Sequence, residues 1–307
     1  MVALLFPGQG SQHVGMGRDL VAASDVARRT FEEADDVLGT GLSKLCFEGP
    51  EDELTETRNA QPAILVHSVA VYRAVEERLG QVSCAAGHSL GEFSAYVAAG
   101  SLRFDDAVRT VRRRGELMHS SGKERPGAMA AVFGIDDAAV QDCCRRAAAE
   151  GGECVAANFN APGQVVISGD VPTVERALVL AKEAGARRTI RLNVSGAFHS
   201  PLMRVAEAGL SATLGTVAIS RPAFPIVSNV TAQPVSDPVD VRRLLVRQLI
   251  SPVCWTAAMH TILTRADTEC FVELGPGKVL AGLLKRMERG VAVSSIGTAG
   301  ELAAFAA

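Results

Sequence analysis

Several features that would direct a chain toward other functions are missing from this sequence. It has no run of about 18 apolar residues, so no membrane span is expected. Its formal net charge is only −3, so no overall basic field points to nucleic acid. Internal repeats, charge blocks and low-complexity segments are absent. The seven cysteines (Cys46, Cys84, Cys143, Cys144, Cys154, Cys254 and Cys270) are odd in number and scattered, with no CxxC pair. That excludes a disulfide framework and a zinc site and leaves free thiols in a reducing, cytoplasmic setting as the expectation. The opening Met1-Val2-Ala3-Leu4-Leu5-Phe6 lacks a basic segment, and Pro7-Gly8 ends its apolar run, so a secretory signal is not expected. Nucleotide-binding loops are incomplete. Glycines at 8, 10, 15 and 17 miss the G-x-G-x-x-G spacing, and Gly275-Pro276-Gly277-Lys278 lacks the rest of a Walker A loop. The latter reads as a turn before a helix.

What is present suits a soluble globular protein. The chain has 307 residues, about two domains' worth by the usual size prior, with 48% hydrophobic and 21% charged residues. Residues 2–6 read as a buried strand running into a loop. Helical patterns cover 24–38 and 61–79, the second with Gly80 as a C-cap. The stretch 83–86 reads as a strand, Gly87 to Gly91 as a tight turn, and 92–99 as a helix closed by Gly100. The rhythm then changes. Strands at 128–133, 154–159, 165–168 and 188–194, with helices at 136–149 and 171–184, give the β-α-β-β-α-β order of a ferredoxin-like unit. An Asn-Ala-Pro-Gly turn at 160–163 joins its middle strands. Alternating elements resume afterwards, with strands expected at 224–228 and 270–274 and a frayed tail at 302–307.

The strongest chemical signal is Gly87-His88-Ser89-Leu90-Gly91, a G-x-S-x-G between strand and helix. Such a turn lifts its serine to the top of the sheet, and the Leu90 N–H at the helix start can bind a developing oxyanion. A serine needs a base. Of six histidines, His67 sits in an apolar helical pattern and reads as core, His119 as surface, and His88 as a neighbour whose side chain diverges from the serine. His13 carries no signal of this kind. His199, in a small-residue loop after a strand, and His260, late in the chain as in α/β-hydrolases, remain as alternatives. The loop Gly8-Gln9-Gly10-Ser11-Gln12 is read either as a phosphate loop or as a close backbone approach to the site, with Gln9 offering an amide. Of Arg112, Arg113 and Arg114, spaced about 100° apart on a helix, one can face inward and clamp a carboxylate.

Taken together these residues resemble the malonyl-CoA:acyl carrier protein transacylase family. The resemblance rests on 6–12, Gly87-His88-Ser89-Leu90-Gly91-Glu92, Arg114-Gly115, 158–164, Gly196-Ala197-Phe198-His199-Ser200, 246–249, Pro252-Val253 and 273–277. It implies an α/β fold: an α/β-hydrolase-like large domain with a parallel sheet (1–125 and 196–307) and an inserted ferredoxin-like small subdomain (126–195). It implies Ser89 as nucleophile, His199 rather than His260 as base, Gln9 and the Leu90 N–H as oxyanion hole, and Gln248 as the carbonyl that orients His199. Arg114 would clamp the substrate carboxylate, with Phe198 and Asn160 beside the acyl group. Phenylalanine before the base goes with malonyl over methylmalonyl in the related polyketide enzymes. The Gly-Ala-Phe-His-Ser segment is most similar to trans-acting polyketide synthase acyltransferases, and from its ends the chain is expected to be free-standing. The implied partners are malonyl-CoA and an acyl carrier protein, in polyketide or fatty-acid biosynthesis. The implied protein is a cytoplasmic monomer without metal or cofactor. A thioester hydrolase on the same scaffold is the alternative enzyme, disfavoured by Arg114. A silent carrier-docking module is disfavoured by an intact Ser89, His199 and Gln9.

Overall fold

A computed structural model describes residues 1–194 and 196–305. Ten strands form two sheets. Six belong to the larger one: β1 (Val2–Phe6), β2 (Val82–Gly87), β7 (Ile226–Val227), β8 (Pro234–Val235), β9 (Cys270–Leu274) and β10 (Val293–Ile296). Their order is β10-β9-β1-β2-β7-β8, parallel except where β8 turns back on β7. β1 is fully buried, as its unbroken apolar run requires of a central parallel strand. The other four are β3 (Gly127–Phe133), β4 (Cys154–Ala161), β5 (Gln164–Asp170) and β6 (Arg188–Arg191), an antiparallel sheet in the order β4-β5-β3-β6. With helices Asp137–Ala149 and Val171–Glu183 on one face, this is the expected β-α-β-β-α-β unit.

The helix starts obey capping chemistry. Ser24 accepts from the Ala27 N–H and Asp136 from the Ala139 N–H, just before helices Asp25–Leu38 and Asp137–Ala149. The Gly275–Lys278 turn precedes helix Val279–Met287, whose first N–H groups are taken by buried Glu273, at 3.0 Å from Leu280 N and 2.9 Å from Ala281 N. A side-chain carboxylate thus fills the place a phosphate would occupy in a nucleotide loop.

Most expected boundaries shift by no more than two residues, and three differ by more. The helix expected from residue 61 begins a turn earlier, as Thr57–Val75, and encloses Pro62, with a short 3-10 turn Glu76–Arg78 after it. The strand expected over 188–194 ends at Arg191, because its only sheet neighbour is β3 and Leu192 and Val194 turn to line a cavity. The tail is not frayed through residue 305. Residues Ala299–Ala304 are helical, and Arg78 donates to the carbonyls of Leu302 and Phe305. Residues 306–307 of that tail lie outside the described residues.

The glycines of the turn after β2 are explained by contact. A Cβ on Gly91 would lie 2.0 Å from the Phe6 carbonyl oxygen, and one on Gly87 would lie 1.9 Å from the Gly91 carbonyl carbon. Gly91→Ala is therefore expected to destabilise the fold by about 1–3 kcal/mol or more through overpacking. Gly282→Ala, on the exposed side of helix Val279–Met287 with nothing within 4 Å of the added methyl, is expected to be neutral or stabilising. Urea denaturation of both variants checks this, and equal midpoints would contradict it.

Candidate active site

Ser89 stands between β2 and helix Gly91–Ala98 with φ of 52°, a left-handed conformation rare for a residue with a side chain. The strain is held from two sides. The Ser89 N–H donates to Asn229 Oδ1 at 2.6 Å, and the preceding His88 N–H donates to the Phe6 carbonyl at 2.9 Å. Asn229 Nδ2 donates in turn to the Gly87 carbonyl at 2.7 Å. Gly8 completes the packing, since a Cβ there would meet the His88 carbonyl oxygen at 2.3 Å. Of the two readings of this loop, the close backbone approach is the one observed.

Of the two candidate bases, His199 is brought to the serine and His260 is not. Ser89 Oγ lies 2.8 Å from His199 Nε2, and His199 Nδ1 lies 2.9 Å from the Gln248 carbonyl oxygen. A carbonyl only accepts, so Nδ1 carries the proton and Nε2 presents its lone pair to the serine hydroxyl. His199 also has a left-handed backbone, with φ of 56°. His260 is exposed on helix Trp255–Leu263, and His67 is wholly buried in the core. His119, expected at the surface, is half-buried on the long helix Phe104–Glu124. His88 diverges from Ser89 as expected: it packs on Trp255 and its Nε2–H donates to Asn160 Oδ1 at 2.8 Å.

The three arginines separate as their spacing requires. Arg113 is exposed, Arg112 half-buried, and Arg114 only 1% exposed. Arg114 donates to Gln61 Oε1 at 2.8 Å, to Gln248 Oε1 at 2.9 Å and to Ser89 Oγ at 3.1 Å. All three acceptors are neutral, its Nε has no partner, and no carboxylate pairs with it among the described residues.

A cavity of about 160 Å³ opens over these groups. Gln9, Leu90, Arg114, Asn160, Phe198 and His199 all line it, and Met118, Met129, Val166, Leu192 and Val194 give it an apolar wall. The backbone N–H groups of Gln9 and Leu90 have no partner among the described residues, while the Gln9 side chain donates to Thr57 Oγ1 at 3.1 Å. Gln9 can therefore offer its main-chain amide to an oxyanion.

A serine, a base with its lone pair aimed, two open N–H donors and a buried cation make a site for acyl transfer. The family model described as "Acyl transferase domain" matches residues 3–302. The chain belongs to the acyl transferase family. It is 47% identical over 288 residues to the malonyl CoA-acyl carrier protein transacylase of Bacillus subtilis (strain 168), covering 94% of this chain and 90% of that one. The Escherichia coli (strain K12) protein of the same name is 43% identical over 303 residues, covering 98% and 97%. Among solved structures, an acyl carrier protein S-malonyltransferase from Vibrio cholerae superposes with a TM-score of 0.94 at 42% identity, covering 99% of each chain. Another is a type II polyketide-synthase acyl-carrier protein in complex with its malonyl-transacylase, with TM-score 0.93, 41% identity and coverage of 98% and 97%.

Three residues of this acyl transferase's site were not read from sequence: Gln61, Asn229 and Glu92. Asn229 lies 140 positions from Ser89 in a loop without a spacing signal. Gln61 sits inside an apolar helical pattern that masks it. Glu92 did carry a signal, being an acidic residue in the otherwise apolar helix Gly91–Ala98.

Electrostatics set the protonation states. Burial, with the Arg114 charge beside it, pushes the His199 imidazole down to about 3, so the ring is neutral near neutral pH. Burial pushes Arg114 down to about 10, which leaves it charged. A base whose pKa is lowered stays unprotonated as pH falls, so the acid limb of the rate profile moves down. The kcat/KM for Ser89 acylation is expected to hold through the ordinary imidazole value of 6.5 and decline only well below it. His199→Ala is expected to lose about 10²- to 10⁴-fold, and His260→Ala to match wild type. A titration near 6.5 in the free enzyme, or the opposite ranking of the two variants, would contradict the assignment.

Proposed function

We propose that this acyl transferase moves a malonyl group from coenzyme A to the phosphopantetheine thiol of an acyl carrier protein. The observation that carries the reading is Arg114, a buried cation on the nucleophile without a carboxylate partner among the described residues. Enclosing a charge without its counter-ion is costly. An acyl group with a free carboxylate supplies that counter-ion, and a two-armed guanidinium suits it. The relatives' names, which specify malonyl-CoA and a carrier protein, agree with this chemistry.

In this reading His199 Nε2 takes the Ser89 proton as Oγ attacks the thioester carbonyl. The Gln9 and Leu90 N–H groups receive the oxyanion. As the intermediate collapses, the C–S bond breaks and the CoA thiolate takes the proton from His199. The carrier's thiol then attacks the malonyl-serine with the same groups in reverse. The Gln248 carbonyl holds the His199 tautomer throughout. Gln9, His88 and Asn160 line both the cavity over Ser89 and a neighbouring one of about 160 Å³, a fitting place for the pantetheine arm. The division into a catalytic domain (1–125 and 196–307) and a small subdomain (126–195) belongs to the same reading, as does a cytoplasmic setting. No helix among the described residues is long and apolar enough to cross a membrane.

Intact-mass measurement after incubation with acyl-CoAs tests the proposal. Wild type should gain one malonyl group, and Ser89→Ala none. Arg114→Ala should lose malonyl uptake by about 2–5 kcal/mol of transition-state binding, the cost of an unpaired buried carboxylate, while keeping or gaining acetyl uptake. Labelling of Ser89→Ala, or equal loss of both acyl groups in Arg114→Ala, would overturn it. Phe198 is buried against the cavity next to the base, where its ring leaves little space for an α-methyl group. Wild type is therefore expected to favour malonyl-CoA over methylmalonyl-CoA by roughly 10- to 200-fold, and Phe198→Ser to narrow the ratio in direct competition. A wild-type preference for methylmalonyl-CoA would contradict the role given to Phe198.

A further inference from the structure

The acyl-transfer steps leave a buried carboxyl close to the nucleophile without a part. Glu92 is 1% exposed, three residues after the nucleophile. It makes no ion pair among the described residues. Its Oε2 accepts from Gln248 Nε2 at 2.7 Å and from the Asn229 N–H at 3.1 Å. Its Oε1 makes no close hydrogen bond among the described residues, and the Ser228 hydroxyl stands nearby, where it favours the ionised carboxylate.

Both partners serve the site directly. Asn229 holds the Ser89 N–H through its side chain. Gln248 is the hub of the site: its main-chain carbonyl accepts from His199 Nδ1, its Oε1 accepts from Arg114 Nη2, and its Nε2 donates to Glu92 and to the Ser89 carbonyl at 3.0 Å. A primary amide fits almost the same space in two orientations that exchange donor and acceptor. Arg114 only donates, so it requires the Gln248 oxygen. Glu92 accepts at Oε2, so it requires the nitrogen. Arg114 fixes the orientation from one end, Glu92 together with the Ser89 carbonyl fixes it from the other, and Gln248 stands between the two charged groups. The acidic side chain that could neutralise Arg114 is held one residue away, and the guanidinium stays open to an incoming carboxylate.

We propose that Glu92 is a positioning residue that locks the Gln248 amide, and through it holds Arg114 ready for the substrate carboxylate while His199 keeps its orienting carbonyl. This rests on the malonyl-transfer reading above. Burial pushes Glu92 up to about 7. A proton taken up there can sit on Oε1, so Oε2 accepts in both protonation states. The lock accordingly needs an acceptor at Oε2 rather than a charge, and glutamine can supply one at that position.

The test compares wild type, Glu92→Met, Glu92→Gln and Glu92→Asp. Rates of Ser89 acylation by malonyl-CoA and by acetyl-CoA are followed by intact mass, with KM and kcat separated and thermal unfolding as a control. Glu92→Met keeps the volume and removes the acceptor. It is expected to raise the malonyl-CoA KM and lower the malonyl:acetyl preference by roughly 5- to 150-fold, the scale of one unmade buried hydrogen bond. Glu92→Gln should restore the preference to within about threefold of wild type, on the same scale of an acceptor kept in place. Glu92→Asp, which retracts the acceptor and keeps the carboxylate, should fall between and serves if the methionine variant does not fold. A purely packing role predicts that any loss is equal for both acyl donors. An unchanged preference in Glu92→Met or Glu92→Asp, or a Glu92→Gln as impaired as Glu92→Met, overturns the inference. A wild type that takes acetyl as readily as malonyl overturns the underlying reading instead.

Discussion

The contact on which the site depends is between backbones. The turn after β2 lies directly on the end of β1, with Gly87, Gly91 and Gly8 each removing a Cβ that would stand 1.9–2.3 Å from a main-chain atom. Nothing larger than hydrogen fits there. The approach forces the chain round so sharply that Ser89 is left with a positive φ, and the same turn leaves the Leu90 N–H open at the head of a helix. The proposed nucleophile and oxyanion donor are thus consequences of one piece of packing. The cost of the strained serine, on the order of 1–3 kcal/mol, is offset by hydrogen bonds to the Asn229 side chain and to the Phe6 carbonyl, which over-determine the turn.

Around that turn the charges are arranged so that the resting enzyme is poised rather than neutralised. Arg114 donates to Ser89 Oγ, which favours a developing alkoxide. The same charge adds to burial in keeping His199 unprotonated. One cation therefore acts on both members of the dyad before any substrate arrives. A protein carboxylate permanently paired with Arg114 would weaken both effects in the resting enzyme and occupy the place of the substrate's carboxylate. Placing Glu92 behind Gln248 keeps its negative charge at a distance, where it still attenuates the cost of burying the guanidinium.

Much of the fold and part of the site were legible in the sequence, and the division follows range. Strand, turn and helix around Ser89 are decided by residues a few positions apart, and the β-α-β-β-α-β rhythm by patterns within single elements, so both could be read directly. That one of Arg112, Arg113 and Arg114 turns inward follows from helical spacing, whereas the choice of Arg114 came from the resemblance. His199 could not be separated from His260 by local pattern, because what separates them is a contact across 110 residues. Asn229 and Gln61 were hidden for the same reason: each acts through partners 53 to 142 positions away. Gln9 was legible as a loop residue, but whether its side-chain or main-chain amide serves the site depended on Thr57, which sequence spacing cannot place. The early end of β6 is also a tertiary effect, since Leu192 and Val194 are drawn to the cavity rather than continued in the sheet.

Among the described residues, the polar groups lining the cavity come from elements around the six-stranded sheet, except Asn158 and Asn160. The antiparallel sheet contributes mainly Met129 and Val166, and the segment leaving it contributes Leu192 and Val194. Without that apolar wall, Arg114 and His199 would face water. The imidazole would then return toward its ordinary pKa, and the guanidinium would bind a carboxylate no better than a surface arginine does. The small sheet therefore acts by excluding solvent, which raises the strength of every interaction made by the large one. A bridge between the Asn158 segment and Val253, with N–H to carbonyl bonds of 2.8 and 2.9 Å, ties β4 to the segment ahead of helix Trp255–Leu263. The wall is thus held in place by backbone hydrogen bonds, and its side chains remain available to set which acyl group fits.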